Sequence, residues 1–383
     1  MRLLILNYEY PPLGGGAGVI TQNIAERLAG LNNKVVVVTT WFENEPERYG
    51  SPNLQVIRLK SKRKQAYQSG VIEMISWIRA SKKFLSRYCR DEKFDLCFAN
   101  FAIPGGIVAL HLKKKFALKY TLISHGHDIP WMFPRQMFGY HLFTYFGIKK
   151  ICKESELNFI QTIEMKDNLD RFIGRKFAAR NIIIQNGIAT ATFHPDYFKK
   201  TAMFKIIFAS RLVDQKDPFT FLKAIELYSK KNKNLLVHVI GDGKLRKRME
   251  KFVEAGKMRA FVKFRGWITM EEMVCEYQSA SVVVISSVFE AMSVSVLEAL
   301  ACGCFLITTP LNGIRELVTE NVNASIVNFR SPGQIAAKLD AYYRDIYLSG
   351  TLTDKGISAD LKSNYDWETV VGKYADLFKS CIN

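Results

Sequence analysis

The chain lacks any run approaching the roughly 18 consecutive apolar residues that a membrane-crossing helix needs, so no spanning segment is expected. Its opening, Met1 to Leu6, runs straight into Asn7, Tyr8, Glu9 and two prolines, which reads as a buried strand and not as a signal peptide. Cysteine is scarce and unpatterned: Cys89, Cys97, Cys152, Cys275, Cys302, Cys304 and Cys381 are odd in number, scattered and without metal-ligand spacing. A disulfide scaffold and a bound metal are therefore not expected, and reduced thiols fit a cytoplasmic protein. Cys302 and Cys304 stand closest, but with one residue between them and no neighbouring histidine they carry no metal or redox reading. No short repeat, low-complexity tract or nucleic-acid-binding module is present.

What is present fits a folded α/β protein. Apolar residues make up 48% and charged residues 23% of 383 residues, close to globular averages, and that length exceeds what one core usually supports. Two domains, and hence a cleft, are expected. The net charge of +18 is unevenly spread: residues 1–200 hold 30 Lys+Arg against 16 Asp+Glu, whereas the remainder holds 24 against 20. Such asymmetry points to an anionic partner for the first half: a membrane surface, a nucleic acid or a phosphorylated substrate.

Short aliphatic runs alternate with amphipathic stretches, the pattern of parallel sheets covered by helices. In the first half strands are expected at Leu3 to Asn7, Lys34 to Thr40, Gln55 to Leu59, Leu96 to Ala99, Tyr120 to Ser124, Leu157 to Thr162 and Ile182 to Gln185. The irregular stretch from Asn186 to Lys200 is the expected linker. The alternation resumes at Lys205 to Ala209 and continues through Leu235 to Ile240, Val262 to Phe264, Val282 to Ser286, Cys304 to Thr308 and Ala324 to Val327, closing with a helix from Trp367 to Lys379. The domains are thus placed at 1–199 with 366–383, and at 200–365.

Ligands of such folds gather at the carboxyl ends of the strands, and four turns there carry chemistry. After the first strand, Gly14, Gly15 and Gly16 precede a helix, where a bare backbone and helix amides suit an anion. Later come Ser124, His125, Gly126, His127 and Asp128, with His125 placed to donate a hydrogen bond or hold a proton near neutral pH. In the second half Arg211 and Lys216 follow a strand and suit a diphosphate leaving group. The fourth turn holds Glu290, Ala291, Met292, Ser293 and Val294 at the start of a helix carrying Glu298. The amides there suit a diphosphate, Glu290 the attached sugar and Glu298 both hydroxyls of a ribose. Glu298 sits among apolar residues, where an unpaired charge is expensive.

Taken together, these residues resemble the GT-B glycosyltransferases, in particular the retaining family 4. The resemblance runs over nearly the whole chain: NYEYPPLGGGAG at the start, IPGG at Ile103 to Gly106, SHGHD at Ser124 to Asp128, QNGI at Gln185 to Ile188, SRLVDQK at Ser210 to Lys216, IGDGKLR at Ile240 to Arg246 including Gly241, VKFRGW at Val262 to Trp267, and EAMSVSVLEALACG at Glu290 to Gly303. It implies two doubly wound Rossmann-like domains facing across a cleft. It also implies Arg211 and Lys216 on the donor diphosphate, Glu290 on the donor sugar, Glu298 on the ribose, His125 beside the transferred sugar, and Gly15 and Gly16 near donor phosphate or acceptor. A UDP- or GDP-sugar serves as co-substrate, no bound metal is needed, and the terminal helix crosses back to the first domain. Three positions depart from the pattern: Ala291 and Ser293 replace a glycine and a glycine or proline, and Ala189 replaces an aspartate. These departures remove no charged donor contact but are expected to alter pocket width and sugar preference.

Basic clusters at Arg58 to Lys64, Arg79 to Arg90, Lys113 to Lys119 and Lys149 to Lys153 are interleaved with Trp77, Phe84, Trp131, Phe133, Phe138, Phe143 and Phe146. That mixture predicts peripheral contact with an anionic membrane, and with it a glycan or lipid-linked acceptor of cell-envelope or glycolipid synthesis at the inner membrane face. Rival readings are a nucleic-acid-binding protein, which leaves the donor-like residues unexplained, and a catalytically silent protein of the same fold.

Overall fold

The computed structural model describes residues 1–65, 69–132, 134–196, 203–348 and 357–382. The chain forms two compact units, Met1–Gly187 with Trp367–Asn383, and Ile188–Asp366.

The first unit is built on β1 (Arg2–Leu6), β2 (Lys34–Thr40), β3 (Arg48–Ser51), β4 (Leu54–Leu59), β5 (Leu96–Asn100), β6 (Tyr120–Ile123), β7 (Asn158–Ile160) and β8 (Asn181–Ile183). They form one sheet in the order β3-β4-β2-β1-β5-β6-β7-β8, parallel throughout except for β3. Leu3, Leu4, Ile5 and Leu6 of β1 are all buried. Consecutive burial, without alternation, marks a strand covered on both faces, which is why the run reads as uniformly aliphatic. Each such side chain contributes about 1.5–3 kcal/mol, and Leu4→Ala would cost about 2–5 kcal/mol. The helix Trp367–Ile382 belongs to this core: the Tyr374 ring lies 4.9 Å from Phe159, and Phe378 lies 5.2 Å from Phe98.

The sequence reading misses two elements here. The edge strand β3 is exposed at every residue, so it carries no apolar period to read. The helix Pro134–Glu154 is apolar on its outward side as well as its inward side, which hides the amphipathic signature.

The second unit holds β9 (Phe204–Ala209), β10 (Leu235–Ile240), β11 (Val262–Gly266), β12 (Val282–Ile285), β13 (Phe305–Thr308) and β14 (Ala324–Ile326). Its sheet runs β11-β10-β9-β12-β13-β14 and is wholly parallel. Ile188 and Phe193 pack in its core beside Tyr277 and Leu297, and the Ile188 amide donates to the Tyr365 carbonyl at 2.8 Å. The change of unit therefore falls at Gly187/Ile188, before the 199/200 boundary expected from the irregular stretch, and Asp366 stays with the second unit, where Thr190 donates to its carboxylate. Apolar packing, and not the return of regular structure, sets the boundary.

A buried ion cluster fixes the helix Met270–Ser279 to this sheet. Glu276 receives Lys205 of β9 at 2.8 Å, His238 of β10 at 2.7 Å and Arg265 of β11 at 3.2 Å. Burial alone would raise the Glu276 pKa, but the His238 and Lys205 hydrogen bonds outweigh it and hold the group at about 2. Removing Glu276 would strand the buried Lys205 cation and take a hydrogen-bond partner from His238, at a cost of about 3–5 kcal/mol.

Both sheets reverse their strand order once, between β1 and β5 and between β9 and β12. These reversals open crevices at the strands' carboxyl ends, where open α/β sheets bind ligands.

Candidate functional site

In the second unit the loops leaving β9 and β12 meet at the reversal. The Val288 amide donates to Gln215 O at 2.8 Å, Gln215 Nε2 to Phe289 O at 2.9 Å, and the Ser286 hydroxyl reaches the carbonyls of Lys216 and Asp217. The loop after β13 supports them, with Thr309 donating to Ser287 O at 2.6 Å and Asn312 to Glu290 O at 3.1 Å. Within this clamp the Lys216 ammonium pairs with the Glu290 carboxylate, which also accepts from Ser287 Oγ at 2.8 Å. The two side chains are only 13% and 12% exposed, so each holds the other in one orientation at low dielectric. Arg211, in the same β9 loop, is exposed and forms no ion pair among the described residues.

Gly241 has a packing reason of its own. Its φ is +110°, and a Cβ there would stand 2.1 Å from the Ser210 carbonyl oxygen. Any other residue would push the loops after β9 and β10 apart and displace Arg211.

The helix Val294–Ala301 starts just beyond Glu290. Ser293 occupies its N-cap position without capping, its hydroxyl lying 3.0 Å from that of Ser295, and the first turn carries no acidic residue. Met292 and Ser293 are buried while Ala291 and Val294 are partly open. The positive end of the helix is thus left without an acidic side chain to complement it. On this helix, part of the Glu298 side chain reaches solvent, yet burial raises its pKa to about 7 against a lowering hydrogen bond from Tyr277. The Tyr277 hydroxyl donates to Glu298 Oε2 at 3.3 Å. Tyr277 is fully buried, on the helix that Glu276 ties to the sheet. Sequence reasoning missed Tyr277: it lies 21 residues from Glu298 and only the fold brings them together.

The first unit carries a neutral counterpart. Asn7 Nδ2 donates to Thr21 Oγ1 at 2.7 Å, Thr21 donates to Asn100 Oδ1 at 2.8 Å, and His125 Nε2 lies 3.1 Å from the same Oδ1. Because that oxygen is an acceptor, Nε2 carries the histidine proton and Nδ1 is left as an acceptor. Burial, and then His127, depress the His125 pKa to about 3. This corrects the expectation of a histidine able to hold a proton near neutral pH: the imidazole is neutral there. Asp128 serves the loop itself, accepting from Ser124 Oγ and from the Ala102 amide, and His127 is exposed. A Cβ at Gly15 or Gly16 would meet nothing within 4 Å. Packing within the chain therefore does not demand glycine at either position, and the bare helix start faces open space.

The site residues fall into two sets. Gly15, Gly16 and His125 belong to the first unit. Arg211, Lys216, Gly241, Glu290, Ala291, Met292, Ser293, Val294 and Glu298 belong to the second. Two members of the basic and aromatic surface do not belong on a surface at all: Trp77 is 0% and Arg58 3% exposed. Phe133 lies outside the described residues.

Comparison with known proteins identifies the fold and the family. The sequence profile described as glycosyl transferases group 1 matches residues 190–351, and that of glycosyltransferase family 4 matches residues 14–192. An uncharacterized glycosyltransferase of Methanocaldococcus jannaschii is 23% identical over 97% of this chain and 96% of its own. Among solved structures, a sucrose-phosphate synthase from Thermosynechococcus elongatus superposes with a TM-score of 0.86 at 17% identity, covering 99% of this chain and 98% of that one. Anabaena HepE in complex with UDP and glucose superposes at 0.78 and 16% identity, covering 99% and 100%. At these identities the structures establish a shared GT-B fold, and the two profiles supply the family: the chain belongs to the group 1 glycosyltransferases.

Proposed function

We propose that the protein moves a hexose-type sugar from a UDP- or GDP-sugar to a hydroxyl of a glycan or lipid-linked acceptor, with retention at the anomeric carbon. The observation that carries the reading is the Lys216–Glu290 pair, held at the β9/β12 reversal beside a helix start without an acidic first turn. The UDP and glucose bound by the similar HepE structure support a nucleotide-sugar donor.

In this reading the donor diphosphate lies against the amides of Met292 to Val294, with Arg211 and Lys216 as its cations. Glu290 contacts the sugar, and Glu298 accepts the ribose hydroxyls. The acceptor oxygen attacks the anomeric carbon on the face the diphosphate leaves, and the carbon–oxygen bond to phosphate breaks. The acceptor proton passes to the departing phosphate oxygen, so no enzyme nucleophile is required. Charge accumulates on the leaving group, where the fixed Lys216 cation, Arg211 and a helix dipole lower the barrier most. The protein thereby needs no bound metal for this step. Neutral His125 offers hydrogen bonds to a sugar hydroxyl without competing for the proton. Ala291 and Ser293 set the width of the sugar pocket. The place of work is the cytoplasmic face of a membrane.

A thermal-shift screen against UDP-, GDP- and ADP-sugars tests the donor class, because a ligand bound only by the native state raises its melting temperature. UDP- or GDP-sugars are expected to raise it by a few degrees at about 100-fold excess over Kd. No shift with any of them would overturn the reading, and a product of inverted anomeric configuration would overturn retention.

A further inference from the structure

The helix Pro134–Glu154 turns four large apolar side chains outward: Phe138, Leu142, Phe143 and Phe146 are 68%, 65%, 88% and 83% exposed. Phe138, Leu142 and Phe146 repeat every fourth residue, and Phe143 adjoins them, so all lie on one stripe. From Phe138 to Phe146 the stripe runs about 12 Å along the helix. The opposite side is fastened down. Ile148, Ile151 and Cys152 are buried, the Tyr120 hydroxyl donates to Ile151 O at 2.6 Å, and His141 Nε2 lies 3.0 Å from His127 O. The helix therefore cannot roll to hide the stripe without losing these contacts, and a contiguous patch of this kind on a soluble protein marks a contact surface.

Charge identifies what it contacts. Beyond Phe146 the helix turns cationic at Lys149, Lys150 and Lys153, and Lys153, Lys176 and Arg180 gather 5.2, 5.4 and 5.7 Å from the Phe177 ring. The acids at this end, Glu154 and Glu156, are already within 3.6 and 3.4 Å of Lys113. An apolar stripe ending in cations that have no acidic partner among the described residues is what an interfacial helix presents to anionic lipid: rings in the headgroup–acyl boundary, ammonium groups at the phosphates. A second copy of the chain is the poorer occupant, since residues 138–153 hold no acidic side chain to meet a partner's lysines. No described helix is long and apolar enough to cross a bilayer, so the contact is peripheral.

We propose that the protein docks on anionic bilayers through this stripe, with Phe143 and Phe146 as its deepest residues and the Lys149 to Arg180 cluster as its lipid-phosphate contacts. The inference rests on the membrane-linked acceptor reading for its purpose, but its geometry is independent of the donor site. It narrows the docking surface from the four basic clusters of the sequence to one helix and its flank.

The test is flotation of the full chain with phosphatidylglycerol-containing vesicles and with pure phosphatidylcholine vesicles, at low and high salt, without sugar nucleotide. Wild type is expected to float with the anionic vesicles and to be partly released by salt. F143S/F146S is expected to lose at least about tenfold in partitioning, and K149E/K150E to lose binding together with its salt dependence. Both variants should keep the wild-type melting temperature. Wild type that stays with the protein fraction would overturn the proposal. So would F143S/F146S that floats normally, or a wild-type dimer that F143S/F146S makes monomeric. Flotation that holds while no sugar nucleotide binds would sink the donor reading and leave the docking face standing.

Discussion

The two loop clusters at the strands' carboxyl ends solve opposite electrostatic problems. In the second unit the polar groups are charged and paired or poised: Lys216 against Glu290, and Glu298 lifted to about 7 under the Tyr277 hydroxyl. In the first unit Asn7, Thr21, Asn100 and His125 form a neutral chain, with the histidine kept uncharged by burial. Fixed charge stabilises an anion that forms during reaction, whereas neutral donors and acceptors suit hydroxyls that change little. In the proposed reaction, leaving-group chemistry thus falls to the second unit and hydroxyl recognition to the first.

The contrast breaks most visibly at Lys216. Lys216→Ala is expected to lower sugar transfer by about 10²–10³-fold, on the scale of losing one fixed transition-state donor, in a protein that still folds but melts a few degrees lower because Glu290 loses its cation. A steady-state transfer assay beside a melting curve checks it.

Glu298 gives the next largest effect, and its sign is fixed. Its native pKa is raised, so the carboxyl is protonated below about 7 and cannot accept two ribose hydroxyls there. UDP affinity is expected to fall about tenfold per pH unit below that point. The same shift makes the group's contribution to stability greatest below about 4.5 and lost as pH rises toward 7, by a few kcal/mol at most. Calorimetric titration of UDP against pH measures the first, and urea unfolding of wild type and Glu298→Gln measures the second.

His125 behaves in the reverse sense. Its pKa is depressed, so the unfolded chain takes up the proton first, and stability is expected to fall by about 1–2 kcal/mol as pH drops from about 6.5 toward 3. His125→Asn should flatten that part of a urea-stability profile. The smallest effect sharpens the comparison: Tyr277→Phe removes one hydrogen bond of about 1 kcal/mol and is expected to move the midpoint of pH-dependent UDP binding upward by roughly half a unit.

How much of this was legible depends on the range of the interactions. Strands such as Lys34–Thr40 and Leu235–Ile240 match their expected bounds, because burial on both faces writes itself as an unbroken aliphatic run. Lys216, Glu290, Glu298 and His125 were legible because each follows a readable strand or opens a readable helix. The pairing of Lys216 with Glu290 was not, since 74 residues separate them and each had been assigned a separate ligand. Nor was the neutrality of His125, which depends on burial beside Phe101 and on the neighbouring His127. The outward stripe of Pro134–Glu154 escaped as a helix because apolar residues on both sides erase its period. Its aromatics are nonetheless legible in the sequence beside their lysines.

The most direct test of the charged donor site is the UDP dissociation constant of wild type and Lys216→Ala, measured side by side by calorimetry near pH 8, where Glu298 is ionised. The pairing of Lys216 at the β9/β12 reversal predicts a constant at least about tenfold weaker in the variant, measured at a temperature well below the melting of both proteins. Equal constants would contradict the account.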